Sequence, residues 1–273
     1  MLTLAAACAA AGETARAASS LNRAEQTIAN FSFATQLGSG IYAINGRTVQ
    51  IYRLPFSWEI RAATEDQTGV AILLPVTLGF YDFKVEDVLH TQLPRSIDTL
   101  SFAPALEVSR LLRHDWRISS FVQAGIGKER TSTAEVVIYA AALRAERNIE
   151  VRRFRLRYSA ELLYAKTIYK DRPDDSMLRF QHGLEARSNL AQRFQGVPFD
   201  YGVYALNEWY LKRPAPTLTS VTTSIAPRQW ELGVTFGTER TTHIWKLPLP
   251  RVGFGYRFGD GLSIFRLVFG APF

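Results

Sequence analysis

The chain has 273 residues, of which 47% are hydrophobic and 21% charged, with one cysteine and a formal charge of +7. That length suits one large domain or two small ones, the apolar content excludes disorder, and the lone Cys8 excludes a disulfide framework or a cysteine-built zinc or iron–sulfur site. The longest apolar runs, 70–76 and 136–143, fall short of the ~18 to 20 residues of a bilayer-spanning helix. The basic charge comes from 26 Arg against 6 Lys, spread along the chain rather than clustered as in a nucleic-acid-binding arm, so no nucleic-acid partner is expected.

In chain order, residues 2–11 form a Leu and Ala run, and Ala15-Arg16-Ala17 supplies the small-x-small pattern of a signal-peptidase site. Residues 1–17 read as an export signal with a shortened basic region, because no Lys or Arg precedes the apolar stretch; the bland alternative is an Ala-rich frayed helix. Cys8 lies in a weak lipobox, with Ala5 where Leu is usual, and lipidation is not expected. Export agrees with the absence of any other cysteine, since an oxidising compartment punishes a stray thiol. Residues 18–30 read as a tether or, over Asn22 to Asn30, a short plug helix.

From residue 31 to 273 the period is two. Segments are expected near 31–44, 48–60, 68–80, 99–110, 116–127, 134–145, 153–165, 177–188, 198–210, 228–238, 250–258 and 262–273, with 134–145 the most helix-like by propensity. The clearest is 178–186, where Leu178, Phe180, Leu184 and Ala186 alternate with Arg179, Gln181, Gly183 and Glu185. In 154–164, Phe154, Leu156, Tyr158, Ala160, Leu162 and Tyr164 alternate with a polar set containing Arg155, Arg157 and Glu161. Asn45-Gly46 and Gly259-Asp260-Gly261 are hairpin turns. Connections alternate between long ones near 82–98, 166–176 and 211–227 and short ones such as 113–115 and 146–149, although 239–249 is longer than that pattern prefers.

Alternation alone also fits a soluble sandwich. Three features favour an all-β, closed, antiparallel transmembrane barrel of about twelve strands in an up-and-down meander. Tyr42, Tyr52, Trp58, Phe80, Tyr81, Trp116, Trp209, Tyr210, Trp230 and Trp245 near strand ends suggest two interfacial girdles. Arg, Glu and Gln interleaved with Gly suit a wet lumen better than a dry core. The last segment places Phe265, Leu267, Phe269, Ala271 and Phe273 on one face and ends on Phe, a pattern that resembles the signal by which the outer-membrane assembly machinery recognises its clients.

The stretches 171–185, 206–210 and 248–262 resemble the solitary autotransporter-type outer-membrane β-barrels of Gram-negative bacteria. The likeness covers nearly all of the exported chain. It implies a twelve-stranded, monomeric translocator-like barrel in the outer membrane, among its lipids and lipopolysaccharide, with a structural or pore role. The dozen residues before the first strand leave no room for a passenger domain. No cofactor, metal or catalytic residue comes with the resemblance.

Enzymatic alternatives need specific constellations. A barrel lipase places Ser two residues from His on one strand face, and none of His90, His114, His182 or His243 has Ser two positions on. An omptin-like protease needs Asp and His at the barrel mouth; for that rival reading of a lipid- or peptide-cleaving barrel, Asp174-Asp175 could meet His182 or His90 there, although nothing in the spacing requires it and a solvated acid cluster is the bland alternative. The strongest feature is an arginine row, Arg153, Arg155 and Arg157, joined by Arg179, Arg187 and Arg257. Two roles stay open: ion pairs with Glu161, Glu185, Glu107 and Glu231 that fill a narrow pore, or an anion-favouring lumen. Arg at strand ends could also meet lipopolysaccharide phosphates.

Overall fold

The computed structural model describes residues 39–44, 47–81, 99–129, 135–152, 154–170, 173–213, 227–238, 243–244, 247–248, 251–259 and 262–273. The expected export signal, the tether or plug helix, the start of the first strand, and the turns at 45–46 and 260–261 lie outside them. Among the described residues there is no helix. The strands are β1 (Gly40–Ile44), β2 (Arg47–Arg61), β3 (Gly69–Tyr81), β4 (Thr99–Phe102), β5 (Ala105–Leu112), β6 (Trp116–Glu129), β7 (Glu135–Val151), β8 (Phe154–Tyr169), β9 (Asp175–Phe194), β10 (Val197–Lys212), β11 (Arg228–Thr238), β12 (His243–Ile244), β13 (Leu247–Pro248), β14 (Val252–Gly259) and β15 (Leu262–Phe269).

Thirteen of these form one antiparallel meander in which each strand pairs with its chain neighbours, while β12 and β13 make a separate two-stranded hairpin. The ring closes because β1 pairs with β2 on one side and with β15 on the other, Ile41 opposite Phe265 and Ala43 opposite Ser263. β4 and β5 are two halves of one stave, since both pair with β3 and both with β6. Counted so, the wall has twelve staves, and each expected segment coincides with one of them. Segment 134–145 is a strand, continuing to Val151.

The break in the fourth stave has a local cause. Pro104 has no N–H to give to the ladder. The chain bulges so that Ala103 packs against Gly125 of β6, where a Cβ would collide with the Ala103 backbone. The ladder is partly restored by the Ala124 N–H donating to the Pro104 carbonyl at 3.1 Å and the Gln123 Nε2 donating to the Ala103 carbonyl at 2.6 Å. Pro75 of β3 lies opposite Pro55 of β2, so proline interrupts the hydrogen-bond ladder in three consecutive staves.

The turns with left-handed residues between strands lie, among the described residues, at one end of the barrel. His114 and Asp115 have φ of 63° and 60°, Arg152 53°, and Gln195-Gly196 50° and 81°, the left-handed conformation that short hairpin turns need. The expected turn at 146–149 is therefore shifted: β7 runs on to Val151 and turns at Arg152. This turn end carries connections 62–68, 113–115, 152–153, 195–196 and 239–251. The opposite, loop end carries 45–46, 82–98, 130–134, 170–174, 213–227 and 260–261.

The two faces are chemically opposite. Outward-facing large apolar side chains form a belt around the wall, including Leu54, Phe56, Ile60, Leu106, Val122, Ile126, Leu143, Leu162, Leu184, Val203, Leu232, Val234, Phe254 and Phe265. Most of the buried side chains carry polar groups, among them Glu161, Arg179, Glu185, Glu208, Glu231 and Arg257. In a water-soluble sandwich the apolar stripes would meet in a core and the charges would face out. This inversion fits a wall that faces hydrocarbon. On β10 the outward face runs from Tyr201 to Trp209, about 27 Å of strand at ~3.4 Å per residue, or roughly 20 Å of barrel height at a ~40° tilt, close to an outer-membrane apolar band.

Candidate functional site

The distinctive chemistry lies in the lumen. Period-two alternation turns Arg144 (β7), Glu161 (β8), Arg179 (β9), Glu208 (β10), Glu231 (β11), Arg257 (β14) and Arg266 (β15) inward, and consecutive antiparallel pairing brings them together. Arg144 meets Glu161 at 2.6 Å, Glu161 meets Arg179 at 2.9 Å, and Arg179 meets Glu208 at 3.3 Å. Glu208 meets Arg257 at 2.7 Å, Arg257 meets Glu231 at 2.8 Å, and Glu231 meets Arg266 at 3.2 Å. The result is one belt of alternating sign, starting and ending on arginine, across the inner wall of seven staves. Two phenols extend it: Tyr210 donates to Glu208 at 3.2 Å and Tyr204 to Glu231 at 2.7 Å.

Glycine makes room for the belt. A Cβ on Gly255 would collide with the Tyr204 hydroxyl and crowd the Glu231 carboxylate, and one on Gly233 would strike the Tyr204 ring. The interleaved glycines are therefore the sockets into which larger lumenal side chains fit.

A second group lies toward the turn end. Asp200 accepts from Arg155 at 2.8 Å and from Arg251 at 2.5 Å; Glu185 pairs with Arg187 at 2.5 Å and accepts from the Thr235 hydroxyl at 2.7 Å. Arg251 also donates to Thr235, and Arg155 to Asn189. Arg157 pairs with Glu146 on the neighbouring strand at 2.6 Å, although its register partner on β9 is Glu185. In both groups arginine exceeds carboxylate by one, so the pairing leaves a positive balance. Desolvation of each ion must be offset by such geometry, and every carboxylate named here has at least one arginine partner.

Of the residues singled out from sequence, Arg155, Arg157, Glu161, Arg179, Glu185, Arg187 and Arg257 all face the lumen and are ion-paired. Arg153 lies outside the described residues. Glu107 lines the same cavity. Sequence reasoning missed Arg144, Glu146, Asp200, Glu208, Arg251 and Arg266. For Arg266 the available signal was phase, since it sits between the apolar Phe265 and Leu267; for Glu208 alternation misleads, because its inner stripe also holds Tyr204, Leu206 and Tyr210.

Between the belt and the opposite wall is a cavity of about 430 Å³, lined by Ser57, Glu107, Gln123, Gln181 and the belt arginines. Its boundary includes residues 270–273. Gly270, with φ of 88°, ends β15 and turns the chain inward; Arg266 donates to the Pro272 carbonyl, and the Phe273 ring packs edge-on against Tyr204 at 6.3 Å. This corrects the sequence expectation that Phe273 continues the face of Phe265 and Leu267. Phe265 and Leu267 do share the outward phase on β15, while the side chain of Phe269 lies outside the described set.

The aromatic girdles need a similar correction. Trp58, Trp116, Trp209 and Trp230 face outward near strand ends, but Tyr210 points into the lumen and Phe80 is buried against Tyr52. Tyr42, Tyr81 and Trp245 lie outside the described side chains. The Asp and His set of the enzymatic alternative is not assembled among the described residues. Asp174 is exposed and paired with Lys166 at 2.8 Å, whose hydrogen bond holds its carboxyl below the ordinary range; Asp175 is buried. His182 is on the outer face, stacked on Phe180 at 5.8 Å and edge-on to Trp209 at 6.1 Å.

No protein-family model matches the sequence, and no curated protein matches it. A solved structure is similar in fold: the β domain of the Bordetella autotransporter BrkA, at 13% identity and a TM-score of 0.53, over 85% of this chain and 93% of that one. At that identity the likeness concerns the architecture, an all-β antiparallel meander of the autotransporter β-domain type.

Proposed function

We propose that the chain is an outer-membrane β-barrel of a Gram-negative bacterium, translocator-like in architecture and monomeric, with a lumen held nearly closed by ion pairs. The observation that carries this is the inversion of polarity: exposed Leu, Val, Phe and Trp outside, paired Arg and Glu inside, on a wall closed by β1 and β15. A continuous apolar belt on a protein surrounded by water would drive aggregation. The shared fold with an autotransporter β domain supports the same reading. The loop end, which holds the long connections 82–98 and 213–227, faces outside the cell, and the turn end faces the periplasm.

Of the two roles open for the arginines, the paired geometry favours the structural one, and the positive balance makes anions the preferred ions in any residual conduction. The outward strand face of Phe265 and Leu267 remains the surface offered to the assembly machinery. Outer-membrane fractionation combined with a heat-dependent mobility shift on detergent gels tests the location and the barrel together. Recovery in the soluble periplasmic fraction without a shift would contradict the reading.

A further inference from the structure

One outward-facing patch is unlike the rest of the belt. On β9, β10 and β11, Phe180, Trp209 and Arg228 are direct cross-strand neighbours in one row, and His182, Asn207 and Trp230 form the next row toward the barrel middle. All six have the outward phase. The Arg228 guanidinium carbon lies 5.3 Å from the Trp209 ring centre and 5.1 Å from that of Trp230, so the cation contacts two indoles. Phe180 is 5.9 Å from Trp209 and completes the aromatic wall. Among the described residues no carboxylate pairs with Arg228, whereas the lumenal arginines discussed above all have one. Asn207, 1% exposed beneath the rings, donates to the Gln229 carbonyl at 2.9 Å, but its Oδ1 is buried without a partner.

The position of the patch decides what it can meet. Below it on the same strands lie Leu184, Ala205 and Leu232, then Ala186, Val203 and Val234, the apolar belt itself. Above it begins the connection after Arg213, with Lys212 and Arg213 exposed at the strand end. Arg228 therefore stands where hydrocarbon gives way to headgroups, at the loop end. A guanidinium held against aromatic rings keeps its N–H edge for an array of acceptor oxygens, and a phosphate offers that array.

We propose that this patch is a binding site for the phosphate-bearing headgroup of an outer-leaflet lipid. Arg228 grips the phosphate, Trp209, Trp230 and Phe180 cover the headgroup body, and the acyl chains run down the Leu184 and Leu232 column. A headgroup hydroxyl or amide that enters between His182 and Trp230 gains the free Asn207 Oδ1 as acceptor. The site rests on the outer-membrane reading and adds a lipid and its position.

The test titrates refolded full-length protein in detergent micelles with lipid A carrying its phosphates, with dephosphorylated lipid A, and with inorganic phosphate, with binding read by native mass spectrometry. Phosphorylated lipid A is expected to bind, and removal of its phosphates or Arg228→Ala to weaken binding on the order of tenfold. Arg228→Lys, which keeps the charge but loses the fork, should also weaken it. Arg147→Ala, at the single-indole contact with Trp116 at the turn end, should leave it unchanged. Equal binding by both Arg228 variants, equal binding of the dephosphorylated lipid, or competition by inorganic phosphate alone would overturn the site. The heat-dependent gel shift, run on every variant, separates the outcomes: its loss in the unaltered protein contradicts the barrel, while a normal shift without lipid discrimination removes this site only.

Discussion

Glu208 accepts from three lumenal groups, Arg179, Arg257 and Tyr210, as Glu231 does from Arg257, Arg266 and Tyr204. Removing one member of a buried ion pair leaves its partner's charge uncompensated, which costs about 3–5 kcal/mol. Glu208→Ala is therefore expected to lower unfolding stability by about that amount in urea titrations followed by tryptophan fluorescence in detergent micelles. The double variant with Arg257→Met should recover part of the loss, because it removes the surplus positive charge that Glu208→Ala leaves in the belt; a strictly additive result would remove the belt's claim to act as a unit. Gly255 gives a steric counterpart. Gly255→Ala forces Tyr204 and Glu231 to move, and Tyr204→Phe should relieve part of the strain by removing the hydroxyl, measured as a partial recovery of the heat-dependent gel shift. An unaltered shift in Gly255→Ala alone would mean the socket is looser than the geometry indicates.

At the scale of the strand, Pro104 and Gly125 act together. Gly125→Val places a branched side chain against the Ala103 backbone, so the fourth stave cannot pair on both sides, and the variant is expected to lose barrel assembly. Normal outer-membrane levels of that variant would contradict the account of the break. The staves were readable from sequence because lipid outside and charge inside leave a period of two that no helix shares: Phe154 to Tyr164 shows it without exception on the apolar side. The same phase was enough to place Arg155, Arg157, Arg179 and Arg257 in the lumen. Partners were less legible. Arg157 selects Glu146 over the register-opposed Glu185, a choice set by side-chain reach and by competition from Arg187, and neither is encoded in alternation. The inward turn of 270–273 was hidden for a similar reason. Alternation predicts the face of a residue only while the strand lasts, and Gly270 ends it.

For the whole molecule, the interplay of wall and lumen governs conduction. The cavity is bounded by the ion-pair belt and by residues 270–273, so purified protein in planar bilayers is expected to show low conductance with anion preference. Converting Glu208 and Glu231 together to Gln keeps side-chain volume, removes two negative charges from the belt, and should raise anion selectivity. A cation-selective channel in either protein would exclude the positive lumen. The deepest assumption, however, is which stripe touches lipid. Single cysteines in a Cys8→Ser background, at Leu232 and Val203 on the outer face and at Thr235 and Gln229 on the inner one, can carry nitroxide labels in liposomes. The account predicts that labels at Leu232 and Val203 relax with oxygen dissolved in the hydrocarbon and are shielded from a water-soluble nickel complex, with Thr235 and Gln229 showing no hydrocarbon signature. Free access of the nickel complex to Leu232 and Val203 would contradict it.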